Sequence, residues 1–463
     1  MKIDKMNHLL QKTILAQGIF LAANMTLSAG NVKSKMPNII IFLTDDQGYQ
    51  DVGCFGSPLI KTPNLDRMAR EGVRFTDFYS AAPVCSPSRA ALLTGCYPPR
   101  VGVPRVLWPD DKIGLDPREI TIADMLKVKG YATACIGKWH LGDKPEYLPG
   151  KQGFDSYLGI PYSNDMTINP KVQISKDVVY REGVSPETIR TKPLGSGNVP
   201  LMRDGKVIEY PVDQTLLTKK YTEEAVKIIT ENRNKPFFLY LAHTMPHIPL
   251  HASADFYGKS ARGLYGDVIE EIDWSMGEIL KTLKSLNIDE NTLVIFTSDN
   301  GPWNLKNGMG GSAAPLRGFK FETYEGGMRE PMIAHWPGRI PAGSVCSEIA
   351  STIDLLPTVA YLTGSKNPSN RVDGKNIWPL LSGKKGAKTP HNYYYYYSGT
   401  SLQAVRSGAW KLRHVKEKDE LYDLATDISE SKNVASDHPE IVKRLTNAIT
   451  KFDKELKLHE RKF

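Results

Sequence analysis

Two acidic clusters in this chain have the composition of a cation site: Asp45-Asp46, and Asp299 followed by Asn300. Each follows a short, continuous apolar run, residues 39–43 in one case and 293–296 in the other, of the kind that forms a fully buried strand. The four side chains offer only oxygen and three are anionic, which suits a hard divalent cation, calcium or magnesium, rather than zinc. A lone Asp-Asp after a strand more often makes a turn or a helix cap. The second strand-end cluster is what tips the pair toward metal binding. Two further apolar runs end the same way: residues 132–136 lead into Gly137-Lys138-Trp139-His140, and residues 237–242 into a loop with His243 and His247. Sites in open α/β sheets lie beyond the carboxyl ends of the strands, so four such runs point to one shared pocket.

Cys85-Ser86-Pro87-Ser88-Arg89 adds a reactive atom and a cation. Pro87 fits an early helical position, where its missing N–H is no loss, and residues 88–94 form a helix-favouring run closed by Gly95. Cys85 is therefore predicted just before a helix N-terminus, where unpaired N–H groups and the positive end of the dipole favour an anion. Taken alone, a cysteine at a loop-to-helix junction reads as a buried structural residue. Its company argues for a catalytic one.

That company is specific in order as well as in kind. Asp45-Asp46-Gln47-Gly48, the Cys85-to-Arg89 segment, Gly137-Lys138-Trp139-His140-Leu141-Gly142, the His247 loop, Asp299-Asn300-Gly301 and the Lys320 segment resemble, in this order, the type I, formylglycine-dependent sulfatases of the alkaline phosphatase superfamily. Gly159-Ile160-Pro161-Tyr162-Ser163 is similar to an element of the arylsulfatase A-like branch, in which that serine reaches the sulfate. Glu420-Leu421-Tyr422-Asp423-Leu424 resembles a hairpin sequence common in the family, so the likeness runs from residue 37 into the C-terminal region.

The resemblance implies a role for each position. Cys85 would be converted to Cα-formylglycine, and Asp45, Asp46, Asp299 and Asn300 would hold Ca²⁺ together with an oxygen of the modified Cys85. Lys138 and Lys320 would clamp the sulfate, Ser163 would reach it, and Arg89 would orient the modified residue. Of two geminal hydroxyls on hydrated formylglycine, one would attack sulfur and expel the alcohol; deprotonation of the other would expel sulfate by C–O cleavage and restore the aldehyde. His247 is assigned as the acid that protonates the leaving alcohol and His140 as the base of the second step. His247 is preferred to His243 because it stands just before an X-Pro pair, Ile248-Pro249, as the family's histidine does. Lys320 lies in Phe319-Lys320-Phe321, which by itself also fits a solvated edge position; its spacing to Tyr324-Glu325-Gly326-Gly327 favours the functional reading.

Strands must alternate with helices to bring these tips together. Helical signals cover residues 64–72, 121–130 with a capping Thr121, and 267–286 with apolar spacing at Val268, Ile272, Met276, Ile279 and Leu283. The expected fold is α/β: a large, mostly parallel sheet sandwiched by helices, alkaline phosphatase-like, with a smaller C-terminal antiparallel sheet plus helix. Residues 1–30 are expected to be a signal peptide, 36–365 the catalytic domain and 366–463 the C-terminal subdomain. Residues 163–212, polar and rich in Pro and Gly, are expected to form long loops. Beyond the Gly-Ser-Pro-Asn stretch near residue 365, strand signals appear at 393–397, 403–406, 410–412 and 421–424, and a final helix starts near Pro439.

The N-terminus speaks to location. Lys2, Lys5 and Lys12 precede an apolar stretch, residues 14–27, that ends in Ser28-Ala29-Gly30, the pattern of a cleaved secretory signal and too short and interrupted for a membrane span. A periplasmic or secreted protein follows, without a stable membrane anchor. Residues 1–30 carry three lysines and one aspartate, so their removal lowers the net charge from +8 to +6. A modest positive excess suits anionic substrates such as sulfated carbohydrate or an aryl sulfate. The basic residues form no stripe, so nucleic acid is not an expected partner; a formylglycine-generating or maturase enzyme is. Setting Cys85 aside, Cys54, Cys96, Cys135 and Cys346 allow one or two disulfides, although Cys135 sits in an apolar run where a free thiol is commoner. Arg105, Trp108, His251, Trp303 and Arg317 flank the motifs as sugar contacts or as structural residues. Two other functions fit the same residues: a phosphodiesterase or phosphonate hydrolase of the same superfamily, and a non-catalytic sulfated-glycan binder if Cys85 is unmodified.

Overall fold

The run Asn-Ile-Ile-Ile-Phe-Leu-Thr lacks the alternation of a half-exposed strand, so it needs cover on both faces. It forms β1, Asn38–Thr44, buried at every residue. The computed structural model describes residues 36–461 apart from 182, 306 and 417, and the expected signal peptide lies outside the described residues. Eleven further strands join β1 in one sheet among the described residues: β2 (Val73–Tyr79), β3 (Ala132–Gly137), β4 (Ser156–Gly159), β5 (Ile174–Tyr180), β6 (Leu201–Arg203), β7 (Lys206–Tyr210), β8 (Phe237–Ala242), β9 (Thr292–Ser298), β10 (Arg329–His335), β11 (Ser344–Cys346) and β12 (Ala350–Ser351). Their order is β11-β2-β10-β9-β1-β8-β3-β4-β6-β7-β5, with β12 also pairing β2. The centre, β9-β1-β8-β3-β4, is parallel throughout.

Helices cover this sheet. Pro63–Glu71, Leu217–Glu231 and Leu264–Ser285 pack over Ile40, Phe42, Ile136, Leu239, Leu241, Val294 and Phe296, every second residue of the central strands. Cys85–Thr94, Ile122–Lys127 and Leu355–Thr363 form the other layer. Thr121 caps Ile122–Lys127 through a reciprocal box with Asp124, as the sequence predicts.

Register is what matters for function. Thr44 pairs with Ser298, Leu43 with Ala242, and Gly137 also with Ala242, so β1, β9, β8 and β3 end level with one another. Backbone bonds continue past the ends: Asp299 N–H donates to Thr44 O (3.1 Å), His243 N–H to Leu43 O (2.8 Å) and Lys138 N–H to Ala242 O (2.8 Å). The residue following each strand is thereby locked to its neighbour.

A second, four-stranded antiparallel sheet follows, β13 (Tyr394–Ser398), β14 (Ser401–Ser407), β15 (Trp410–Val415) and β16 (Lys418–Asp423), with the helix Pro439–Leu458 against it. Tyr395 stacks on Phe452 of that helix, ring centres 3.9 Å apart at 8°. The tyrosine run is thus a strand whose alternate rings face different neighbours.

Three expectations need correction. Residues 163–212 are not all loop: β5, β6, β7 and the helix Pro186–Thr191 lie there. Asp204-Gly205, with φ of 47° and 85°, make the two-residue hairpin turn joining β6 to β7, a turn signal hidden by the polar surroundings. Cys85 is the first residue of its helix, with Val84 as the cap, one place further in than predicted. The five cysteines are all unpaired, so no disulfide forms; Cys96 instead contacts Thr94 O and Arg371 O, each at 3.4 Å.

Candidate active site

The helix Cys85–Thr94 is buried over its whole length and ends at Gly95, whose φ of 68° is the left-handed conformation that closes a helix. It fixes two side chains one turn apart. Arg89 donates from Nε to Asp299 Oδ2 (2.8 Å) and from Nη1 to Lys138 O (2.7 Å), tying the tips of β9 and β3 to the helix. Cys85 Sγ lies 4.0 Å from Asp46 Oδ1.

Around that sulfur the expected residues converge. Carboxylate oxygens of Asp45 and Asp299 and the Cys85 sulfur lie within 4.8 Å of one another, and so do ligand atoms of Asp46, Cys85 and His247. Lys138 Nζ donates to Asp45 Oδ2 (2.6 Å) and Ser163 Oγ (3.2 Å). Lys320 Nζ donates to Asp46 Oδ2 (2.7 Å), as Asn300 Nδ2 does to Asp46 Oδ1 (2.7 Å). His247 Nε2 is 3.6 Å from Asp46 Oδ2. Every one of these groups is buried.

Burial of so many charges sets their protonation. Burial alone would push Asp45 up, but Lys138, His247, Arg89 and Lys320 outweigh it and hold the carboxyl well below its ordinary range. Asp299 goes the other way: burial and the charge of Asp45 raise it against Arg89 and Lys138. Burial lifts the Cys85 thiol to about 12, so the encoded side chain is a neutral thiol and a poor nucleophile at pH 7.

The two histidines are set up differently. A carbonyl oxygen can only accept, so His140, whose Nε2 meets Leu107 O at 2.9 Å, carries its proton there. Its Nδ1 is buried without a partner, and burial together with Lys138 and Arg89 keeps the ring neutral. His140 is therefore an acceptor aimed from a left-handed backbone, φ 60°. For His247, Nδ1 faces Ile248 O (2.6 Å) and Asn164 Oδ1 (3.1 Å), both acceptors, so Nδ1 holds a proton and Nε2 is turned toward Asp46.

Sequence reasoning missed Asn164, which also donates to Gln214 Oε1 (3.0 Å) and Pro249 O (3.0 Å) and so braces the His247 loop. Its place beside Ser163 was the available signal. His243 points elsewhere: Nε2 meets Ser275 Oγ at 3.2 Å and the ring packs on Phe42, 4.7 Å between centres. Of the flanking residues, Arg317 is structural; it lies 4.1 Å over the Tyr324 ring and donates to Glu430 O (2.7 Å). Arg105 is bound to Asp111 at 2.8 Å, Trp108 is 57% exposed and His251 half-buried. Trp303 reaches the cradle, its ring 5.6 Å from that of His247.

Comparison with known proteins gives a consistent result. A family model described as Sulfatase matches residues 37–365, and one described as N-sulphoglucosamine sulphohydrolase, C-terminal, matches residues 319–455. Arylsulfatase A of Homo sapiens is 37% identical over 458 residues, covering 91% of this chain and 88% of that protein. N-acetylgalactosamine-6-sulfatase of Canis lupus familiaris is 41% identical over 396 residues, 81% of this chain and 71% of that protein. Among solved structures, Ps i-CgsB in complex with k-i-k-neocarrahexaose superposes with a TM-score of 0.78 at 32% identity, over 92% of this chain and 94% of that one. The PsFucS1 sulfatase from Pseudoalteromonas sp. gives 0.80 at 28% identity, over 93% and 92%.

Proposed function

The chain belongs to the sulfatase family and is a sulfuric ester hydrolase, and on that premise we propose that it is an exported enzyme that removes sulfate monoesters from sulfated carbohydrate, using a formylglycine made from Cys85. The observation that carries the proposal is the meeting of Asp45, Asp299 and Cys85 ligand atoms within 4.8 Å, from three separate elements. Export is supported by the pattern of residues 1–30, and the carbohydrate class by the names of the relatives and the oligosaccharide complex. No helix of the described residues is long and apolar enough to cross a membrane. The catalytic unit spans 36–365 and the C-terminal subdomain 366–463.

The residues fit a calcium ion. Asp45, Asp46, Asp299 and Asn300 offer oxygen alone; Asn300 Oδ1 is buried without a hydrogen bond, and Asp45 Oδ1 has none beyond the charge of Arg89 Nη2 at 3.4 Å. When bound, Ca²⁺ supplies a Lewis acid that neutralises sulfate charge. Formylglycine at Cys85 supplies a hydrated aldehyde, a stronger and self-regenerating nucleophile in place of the inert thiol. Since Cys85 and its helix are buried, a maturase must act on the chain before it folds.

The chain's own groups do the rest. Lys138, bonded to Asp45, and Lys320, bonded to Asp46, hold sulfate oxygens as point charges, and Ser163 adds a hydroxyl beside Lys138. Arg89 fixes the helix that carries residue 85 relative to the β3 and β9 tips. His140 Nδ1 accepts a proton, and His247, held by Asn164 and the Ile248 carbonyl, delivers one from Nε2 to the departing oxygen.

Turnover of 4-nitrophenyl sulfate against bis(4-nitrophenyl) phosphate, followed by a panel of defined sulfated saccharides, tests this reading. Release of sulfate from the monoester and from at least one saccharide is expected. Faster cleavage of the phosphodiester, or no release of sulfate from any ester by converted protein, overturns it.

A further inference from the structure

Beside the cradle stands an aromatic pair that the chemistry above does not use. Trp303 follows Asp299-Asn300-Gly301-Pro302, and its ring lies next to His247, the acid assigned to the leaving oxygen. Phe321 follows Lys320 and meets Trp303 edge-on, ring centres 5.8 Å apart at 74°. Lys320 Nζ is 4.6 Å from the Trp303 ring centre and 5.5 Å from that of Phe321. Both rings therefore flank the ammonium assigned to sulfate, and Trp303 also flanks the imidazole assigned to the ester oxygen.

The backbone of Phe321 is the telling part. Its φ of 77° is left-handed, a genuine outlier for a bulky side chain. Asp46 and His140, at 64° and 60°, are the other cradle residues in this state, and each has a role in the reaction proposed above. Phe321 N–H donates to Pro83 O and Lys320 N–H to Pro302 O, both 2.9 Å, so the segment is pinned between the stretch entering Cys85 and the one entering Trp303. Little burial is gained in return, because Phe321 stays 51% exposed. Strain of this kind persists where function needs the geometry.

Resting on the sulfatase reading, we propose that Phe321 and Trp303 form the leaving-group subsite, an aromatic corner that packs on the apolar C–H face of the pyranose ring bearing the ester oxygen. An aryl ring shares the needed chemistry, a flat or chair-shaped apolar face, and serves as a second probe.

The test compares wild type with Phe321→Ala, Phe321→Gly and Phe321→Tyr, using 4-nitrophenyl sulfate and the best saccharide of the panel. Ala and Gly variants are expected to raise KM for both by about three- to tenfold, with kcat less affected, and Tyr to restore it. Inorganic sulfate, which reaches only the cradle, should inhibit all four equally. Phe321→Gly relieves the left-handed strain, so its melting temperature should not fall below that of wild type, which separates lost binding from lost folding. A sulfate Ki that rises with KM overturns the proposal, since Phe321 would then act only by holding Lys320. Unchanged KM overturns it as well, and a loss confined to the aryl ester overturns the pyranose assignment. Equilibrium binding of both probes to Cys85→Ala protein reads the subsite without turnover. There, equal affinity with and without Phe321 sinks the subsite alone, whereas Phe321-dependent binding to a wild type that turns nothing over sinks the sulfatase reading alone.

Discussion

Asp299 shows how one side chain can serve two neighbours. Its carboxylate accepts Arg89 Nε at 2.8 Å and the Asp46 N–H at 3.1 Å, while burial and the charge of Asp45 push it toward protonation. A divalent cation bound as proposed would remove that conflict. Asp299→Ala should therefore lower calcium affinity and turnover together, by more than the roughly 10–100-fold typical of residues that only support a metal ligand; calcium titration of chelator-treated protein measures it. His247 faces the opposite constraint. Burial and Lys320 lower its pKa below the ordinary 6.5 despite Asp46 and Asp45, so the protonated form that would deliver a proton in the proposed reaction is populated only on the acid side of that value. Turnover of unactivated sugar sulfates should accordingly fall as pH rises through the lowered pKa, with a flatter profile for nitrophenyl sulfate. His247→Ala should cost the sugar substrate about 10²–10⁴ in kcat and the aryl ester far less. Equal losses on both would contradict its role as acid. Residue types of this sort were legible in the sequence because strand-end Asp, Lys and His clusters announce themselves. The Leu107 carbonyl was not, since a backbone oxygen leaves no compositional mark, and Asn164 was marked only by its place beside Ser163.

At the scale of elements, the apolar runs of β1, β3, β8 and β9 were readable because parallel central strands carry no polar alternation to obscure them. Their level ends, set by the Thr44–Ser298 and Gly137–Ala242 pairings, turn four distant segments into one site. The outer strands β5 to β7 escaped because β5 carries no fully buried residue and β6 is only three residues long, and only Asp204-Gly205 betrays them. Contacts between the two sheets were equally invisible. Lys411 of β15 is fully buried, with Nζ 2.8 Å from Glu325 Oε1 and 2.9 Å from Glu430 Oε1. Glu325 also meets Arg329 at 3.2 Å and Tyr396 at 2.9 Å. Burial raises Glu325, but Lys411, Arg329 and Arg406 more than reverse it and keep it ionised. Lys411→Met would leave two carboxylates facing one another without their shared cation. A loss of about 3–5 kcal/mol in urea unfolding is expected, whereas a loss below about 1 kcal/mol, the level of an exposed pair, would show that the network contributes little.

For the molecule as a whole, the two sheets divide the work. The large one levels its strand tips into a cradle, and the small one, through Lys411 and Arg406, holds the segment Glu325–Met328 that follows Lys320. The net charge of +6 left once residues 1–30 are removed is a modest positive excess, which suits the proposed sulfated substrate. All of this chemistry presumes that residue 85 is no longer a cysteine in the working enzyme, since burial raises the thiol and leaves it protonated and a poor nucleophile. Peptide mass spectrometry on protein purified from a host with a formylglycine-generating enzyme tests that directly. The fragment carrying residues 85–89 is expected to have lost sulfur and gained a carbonyl oxygen, with specific activity rising in proportion to the converted fraction. Full activity in protein whose residue 85 is an intact thiol would contradict it.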